Sequence, residues 1–329
     1  MKLGINSHSY LLAAGLSDYQ PVGKGVMTPL EMIEEAKKLD LEAISFDAKY
    51  LSPNKPGKWD MVTAVNIRSA CEKAGLAVHL SAENLSSEYL SDLIRAGHML
   101  GAEQITAQIS HLKGNVTLRK QQLEYTLNEL DQVIKTAEKY KIVLSIENGI
   151  SAAAADLLPF MQAAESEFIG ISYNMGHSLT VPEIPSEAAK LLGKYMKSAT
   201  VNDFSVYRTS SGIMLVCSPI GTGAVDVLNV LKVLNSTNDD IFIFLDTAAK
   251  RIKVELLSDQ YLTDYPRITA RALADILRRG TSEYIETDYL FPFEERKSEN
   301  AILKWEKERL EQSLLETKKL LGYQTLPLF

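Results

Sequence analysis

Residues 171–178 read ISYNMGHS, an apolar, strand-like run that ends in Asn174, a Met-Gly step and His177. Similar endings recur along the chain. Side chains of a strand alternate between its two faces, so each β-rich run can be split by period two. One face then carries Asn6 and His8, Ser45 and Asp47, His79 and Ser81, Thr106, Gln108 and Ser110, Ser145 and Glu147, Ser172 and Asn174, Thr200 and Asn202, and Asp246. The other face is apolar, with Ile5, Ile44, Phe46, Val78, Leu80, Ile105, Ile109, Leu144, Ile146, Ile171, Val201, Ile243 and Leu245. Amides and hydroxyls of the polar set can hydrogen-bond a polyhydroxylated ligand, while its carboxylates and imidazoles can move protons or hold a cation. Four histidines, His8, His79, His111 and His177, fall at or near such strand ends, and His98 falls in mid-helix, where a structural role is expected. Three of the four with Glu147 or Asp47 would make a donor set suited to zinc, manganese or iron.

These positions need elements to bring them together. Strands are expected at 2–6, 42–46, 76–80, 103–109, 141–146, 168–173, 197–201 and 241–245, each followed by a stretch with apolar residues at helical spacing. Helix punctuation supports the alternation: Thr28-Pro29-Leu30-Glu31 places an N-cap before a first-turn proline, and Gly75 and Gly101 each close a helix. Eight strands alternating with helices predict a closed (β/α)8 barrel. The rival open sheet would carry a Gly-rich turn after the first strand, which GINSHSY lacks. The polar strand ends then form one ring at the barrel's C-terminal mouth, the face on which barrel enzymes hold their chemistry. On this reading His8, Asp47, His79, Gln108, His111, Asn174 and Asn202 are expected to contact a ligand. The glycines of PIGTGAVD (219–226) frame that mouth; without a P-loop lysine they do not make a phosphate loop, and no nucleotide cofactor is expected. Lys49 and Arg208 read as loop charges after the second and seventh strands.

From Met1 to about residue 280 the motifs, in this order, resemble the xylose isomerase-like TIM-barrel superfamily, the sugar phosphate isomerase/epimerase group. SIENG (145–149) is similar to its fifth-strand motif, ISYNMGHS to a sixth-strand motif that usually reads Asp-x-Gly-His, SATVND (198–203) to the seventh, and FLD (244–246) to the eighth. The resemblance implies a divalent cation held by Glu, Asp, His and Glu, which correspond here to Glu147, Asn174, Thr200 and Asp246. Only Glu147 is unchanged, and Thr200 offers a hydroxyl where the family has an imidazole. A magnesium or manganese ion would rest on Glu147, Asp246 and Asn174 alone, a weak oxygen-only set. The resemblance also implies that Glu147 and Asp246 form a proton-transfer pair, with His177 as a substrate contact and His79, His111 or His177 as hydrogen-bond donors to an enediolate. The implied activity is that of a sugar or keto-sugar isomerase or epimerase. Two alternatives stay open: a lyase, dehydratase or deglycosidase on an oxidised sugar, and a non-catalytic barrel that binds a sugar or a partner.

Composition fits this class. The 329 residues are 46% hydrophobic and 23% charged, with a net charge of −7 and no basic cluster suited to a phosphate backbone, so nucleic acid is not an expected partner. The N-terminus has no signal-like apolar stretch, no run is long enough to span a membrane, and Cys71 and Cys217 lack metal-site spacing; a reduced cytoplasmic setting is expected. Residues 1–280 are expected to form the barrel. Residues 281–329 should be an extension with one amphipathic helix, carrying Ile302, Trp305, Leu310, Leu314, Leu315 and Leu321, that packs on the barrel or on a second subunit as a homo-oligomer contact.

Overall fold

The computed structural model describes residues 1–15, 26–51, 58–109, 112, 115–181, 183–238, 240–281 and 289–323. Ser110 and His111 lie outside the described residues. Eleven strands are present among them: β1 Lys2–Asn6, β2 Ala43–Asp47, β3 Ala77–Ala82, β4 Gln104–Gln108, β5 Val143–Glu147, β6 Ile169–Asn174, β7 Met196–Val201, β8 Asp203–Thr209, β9 Gly212–Ser218, β10 Phe242–Leu245 and β11 Arg251–Val254. Eight of them close into a parallel barrel in the order β1-β10-β7-β6-β5-β4-β3-β2. The sheet closes where β1 pairs with β10, Leu3 standing opposite Ile243. Helices join the strands as expected. The helix Pro29–Lys38 carries the Thr28 capping box, with Pro29 in its first turn.

Alternation along each strand sets the layers. Leu3, Ile5, Ile44, Leu80, Ile105, Leu144, Ile171, Val201, Ile243 and Leu245 face outward and are fully buried beneath the helices. Burial at roughly 25 cal/mol per Å² of apolar surface makes this shell the dominant stabilising term. The inward face differs from its expected course. Ser172 and His79 of the polar set fill the barrel below its mouth, Ser172 together with Gln104 and Ser198, which that set did not include. Gln104 Nε2 donates to Ser198 Oγ at 2.6 Å, and Ser198 Oγ donates to Ser172 Oγ at 2.9 Å. His79 packs among rings, 4.9 Å from Phe242 and 4.7 Å from Phe244 between centroids.

A second sheet departs from the expected pattern. Residues 203–218, read as a loop, form the antiparallel pair β8–β9, and β11 extends it in the order β11-β9-β8. Its tight turn, between Thr209 and Gly212, uses Ser210-Ser211 rather than the Asn-Gly or Asp-Gly that marks most two-residue hairpins, so the turn signal was absent. Arg208 accordingly stands exposed on a strand.

The C-terminal helix, Glu299–Leu321, lies on the barrel of its own chain. It buries Ile302, Leu310 and Leu314, together with Glu306, Arg309, Ser313 and Thr317. The polar members bond to backbone at the mouth end. Glu306 accepts from Leu12 N at 2.7 Å and Ala13 N at 3.1 Å. Arg309 donates to Cys217 O at 3.2 Å and to Thr247 O at 3.3 Å, and Ser313 Oγ accepts from Ile220 N at 3.1 Å. The helix thus ties the segment after β1, the end of β9 and the stretch after β10 to one rigid element. Among the described residues, no helix is long and apolar enough to cross a membrane.

Burial pushes the Glu306 carboxyl up to about 7, against the pull of the two N–H donors and Arg309. The folded chain therefore favours the protonated form. The contribution of this group is full below the ordinary value of 4.5 and is lost as pH rises through about 7. Glu306→Gln keeps an acceptor and removes the titration. Between about pH 5 and pH 8 the wild type should lose about 2–3 kcal/mol more stability than Glu306→Gln, read from urea unfolding at both values.

Candidate functional site

The ends of β5 and β6 are locked to one another. Asn148, just beyond Glu147, turns its side-chain amide onto the backbone of Asn174: Oδ1 accepts from Asn174 N at 2.6 Å and Nδ2 donates to Asn174 O at 3.1 Å. Gly149 follows because a Cβ there would meet Ile109 O at 2.1 Å. The Met-Gly step after Asn174 has a similar cause, since a Cβ on Gly176 would lie 2.4 Å from the Phe204 ring and 2.6 Å from Asn202 Oδ1. Asn202 Oδ1 instead accepts from Gly176 N at 2.8 Å.

Above these turns opens a cavity of about 290 Å³ in the barrel mouth. Asn6, His8, Asp47, Gln108, Glu147, Asn174 and Asp246 line it, with Ser81, Thr106 and Glu83 at its wall and Lys250 entering from the stretch after β10. A larger groove of about 470 Å³ lies between the helices Val116–Asp131 and Ala154–Ala163, but its walls are mainly apolar, including Leu123, Leu127, Pro159 and Phe160. The strand-end carboxylates converge in the smaller cavity, together with His8 and Lys250.

Glu147 is held by two side-chain amides. Its Oε1 accepts from Gln108 Nε2 at 2.8 Å and from Asn174 Nδ2 at 3.2 Å. Burial pushes its carboxyl above the usual range, and Asp246 adds to that; Lys250 and the two amides pull the other way. Asp246 goes in the opposite direction. Burial alone would raise it, but Lys250, His8 and the Ala248 N–H hold it down at about 2. Asp246 Oδ1 accepts from Ala248 N at 3.0 Å and Oδ2 pairs with Lys250 Nζ at 3.2 Å. Across the mouth, His8 Nε2 and Asp47 Oδ2 pair at 3.1 Å. Burial opposes charge on both, yet the pairing raises the imidazole and lowers the carboxyl.

The structure therefore brings His8, Asp47, Gln108, Asn174, Glu147 and Asp246 around one cavity. His79, His177 and Asn202 do not line it, although His177 lies directly behind Glu147. His79 is sealed among phenylalanines, below the mouth, and burial pushes it down to about 3. Burial, aided by the Lys250 charge, does the same to His177. The 3.4 Å between His177 Nδ1 and Glu147 Oε1 is thus proximity to a neutral ring, not an ion pair. Neither imidazole has an aligned hydrogen-bond partner among the described residues. Asn202 and Thr200 are buried, and neither lines the cavity.

The family-type cation set does not assemble either. Thr200 lies off the cavity, the Asn174 amide turns its N–H toward Glu147, and an ammonium already sits on Asp246 Oδ2. Among the described residues no three His, Cys, Asp or Glu side chains converge as a metal site. These donors do not fit a divalent ion.

Lys250 escaped sequence reading because it belongs to no barrel strand. Its backbone is fixed by the unexpected second sheet: Lys250 N donates to Cys217 Sγ at 3.2 Å and Cys217 N donates to Lys250 O at 3.0 Å, at the start of the β11–β9 ladder. Its only signal was a basic residue four positions beyond the strand-ending Asp246.

Residues 33–257 match the family model described as xylose isomerase-like TIM barrel. Among curated proteins, the chain is similar to the 3-oxo-isoapionate decarboxylase of Pectobacterium atrosepticum, at 22% identity over 229 residues, 69% of this chain and 78% of that one. Among solved structures, it is similar to D-psicose 3-epimerase from Clostridium cellulolyticum H10, with a TM-score of 0.58 at 12% identity, over 94% of this chain and 99% of that one. A 3-keto-D-glucoside 4-epimerase from E. coli gives 0.55 at 11% identity, over 84% and 99%. At these identities the solved structures share the fold.

The Asn148 clamp provides a direct test of the site's framework. Asn148→Asp removes the donor to Asn174 O and sets a carboxylate against that carbonyl. It should cost about 2–4 kcal/mol in urea unfolding, more than a surface substitution would. An unchanged midpoint would show that the clamp is dispensable.

Proposed function

The chain belongs to the xylose isomerase-like TIM-barrel family, and on that premise we propose that it isomerises or epimerises a small sugar or keto-sugar by moving a proton at a carbon next to a carbonyl. The observation that carries this reading is the convergence of two carboxylates, Glu147 and Asp246, on one hydrogen-bonding cavity of about 290 Å³. A carbonyl acidifies the neighbouring C–H, and a positioned carboxylate can take that proton and return it to another site. Both amide bonds to Glu147 fall on Oε1, which leaves Oε2 with capacity to move a proton. Their opposed environments assign them different roles, because paired acids whose surroundings diverge divide acid–base work between them. Glu147 is the group able to hold a proton, and Asp246 remains a carboxylate. Asn6, Gln108, Asn174 and the His8–Asp47 pair supply donors and acceptors for hydroxyls.

A lyase reading shares the same enolate, and two observations favour it. Lys250 places a cation in the cavity that could hold a substrate carboxylate, and the curated relative is a decarboxylase.

Incubation of wild type with a panel of ketoses and keto-sugars in deuterated water separates these readings. Deuterium should enter beside the carbonyl, and Glu147→Gln should slow that exchange by about 100-fold or more. Carbon dioxide release from 3-oxo sugar acids without ketose exchange would shift the assignment to a lyase. Ligand binding with neither reaction would identify a non-catalytic barrel.

A further inference from the structure

We propose that Lys250 does the electrostatic work of a catalytic cation in this barrel: its ammonium binds the substrate's carbonyl oxygen and carries the negative charge of the enediolate. The inference rests on the proton-transfer reading above and adds to it the electrophile that Glu147 and Asp246 cannot provide.

Three observations place the lysine for this role. Its side chain lines the cavity that Glu147, Asp246, Gln108 and Asn174 line, and 30% of it remains accessible. Its ammonium is anchored by Asp246 Oδ2 at 3.2 Å, and no other side-chain acceptor holds it among the described residues. An ammonium has three donors, so two are available to a ligand oxygen. Its backbone is fixed from two directions. Cys217 bonds to it through both N–H and sulfur, and Arg309 of the C-terminal helix donates to Cys217 O and Thr247 O on either side of the same junction. Asp246 is fixed in turn by the N–H of Ala248, two residues before the lysine. This is a short built arm, Asp246 to Lys250, with an ion pair at its end.

The step balances without a co-reactant. The Glu147 carboxylate takes the proton from the carbon beside the carbonyl, the C–H electron pair forms the C=C bond, and the carbonyl π pair moves to oxygen. That oxygen gains the negative charge that Glu147 has lost, and it does so against the Lys250 ammonium. Return of the proton to the former carbonyl carbon, while the hydroxyl proton on its neighbour passes to the oxyanion, completes isomerisation; protonation of the original carbon on its opposite face by a water molecule, with the Glu147 proton released to solvent, completes epimerisation. A fixed cation aimed at a developing oxyanion in a water-poor site is among the strongest forms of transition-state stabilisation. Because the ammonium is committed to Asp246, it acts as a charge and not as an amine that would condense with the carbonyl.

The test uses the full-length protein and deuterium exchange into ketoses. Wild-type exchange should be unchanged by EDTA. Lys250→Met should slow it by about 100-fold or more with little change in KM, and Lys250→Arg, which keeps the charge, should retain much more activity than Lys250→Met. Thermal unfolding of both variants reports whether the arm still folds. A binding measurement stands apart from turnover: in EDTA, a four-carbon aldonate, whose carboxylate mimics the enediolate, should bind wild type more tightly than the matching neutral polyol. Lys250→Met should remove that preference by about tenfold or more. Exchange that survives Lys250→Met would overturn the inference, as would exchange that collapses in EDTA and returns with manganese, or an aldonate preference that persists without the lysine. Absence of exchange by wild type on every ketose would instead overturn the isomerase reading, and the catalytic role with it.

Discussion

The constraint on which the rest depends is the closure of eight strands whose side chains alternate. Once β1 pairs with β10, no edge is left, and every second residue must point into a space of fixed width. The outward set is uniformly aliphatic and gains its stability under the helices. The inward set therefore need not supply the core, and it becomes polar from the bottom up. Gln104, Ser198 and Ser172 satisfy one another in the lower layers, while Phe242 and Phe244 fill the remaining volume around His79. Only the top layer has solvent on one side, and only there do carboxylates and amides remain free for a ligand.

A barrel of this kind fixes groups on its strands well and groups beyond its strands poorly. Two added elements correct for this. The sheet β8–β9–β11 begins one residue after β7 and captures the chain as it leaves β10, so that Lys250 emerges from a hydrogen-bonded junction. The C-terminal helix then fastens that junction through Arg309 and the segment after His8 through Glu306. Three parts of the chain distant in sequence thereby hold both sides of one mouth. The buried polar residues on this helix have that consequence: an all-apolar seam would bury as much surface but would leave these backbone N–H and C=O groups without partners.

What was legible in the sequence follows the same division. All eight barrel strands could be read, because alternation and length leave little ambiguity where both faces are defined. So could the placing of His8, Asp47, Gln108, Glu147, Asn174 and Asp246 around one cavity, since each occupies a strand's end or follows it closely on the inward phase. Phase alone does not give depth. His79 shares the inward phase but lies below the mouth, two residues short of Ser81, and the phenylalanines that enclose it come from the opposite side of the barrel order. His177 turns back toward the interior through a 3-10 turn that follows β6, which period two does not describe. Lys250 was hidden for the opposite reason. Its position depends on pairing with a hairpin whose Ser-Ser turn gives no local signal.

Charge accounting joins these departures into one change. In the resembling site a divalent ion would face three carboxylates, leaving one net negative charge. Here Asn174 stands in place of one of those acids, and the cation beside the remaining two, Glu147 and Asp246, is a single ammonium. Among these three groups one negative charge again remains. Keeping the third carboxylate beside a lysine would leave two unbalanced negative charges in a buried mouth, at a desolvation cost of several kcal/mol. Keeping Asn174 with a divalent ion would leave none, and no carboxylate would be electrostatically free to take a proton. The substitution at Asn174 and the arm that delivers Lys250 are each unfavourable alone and consistent together.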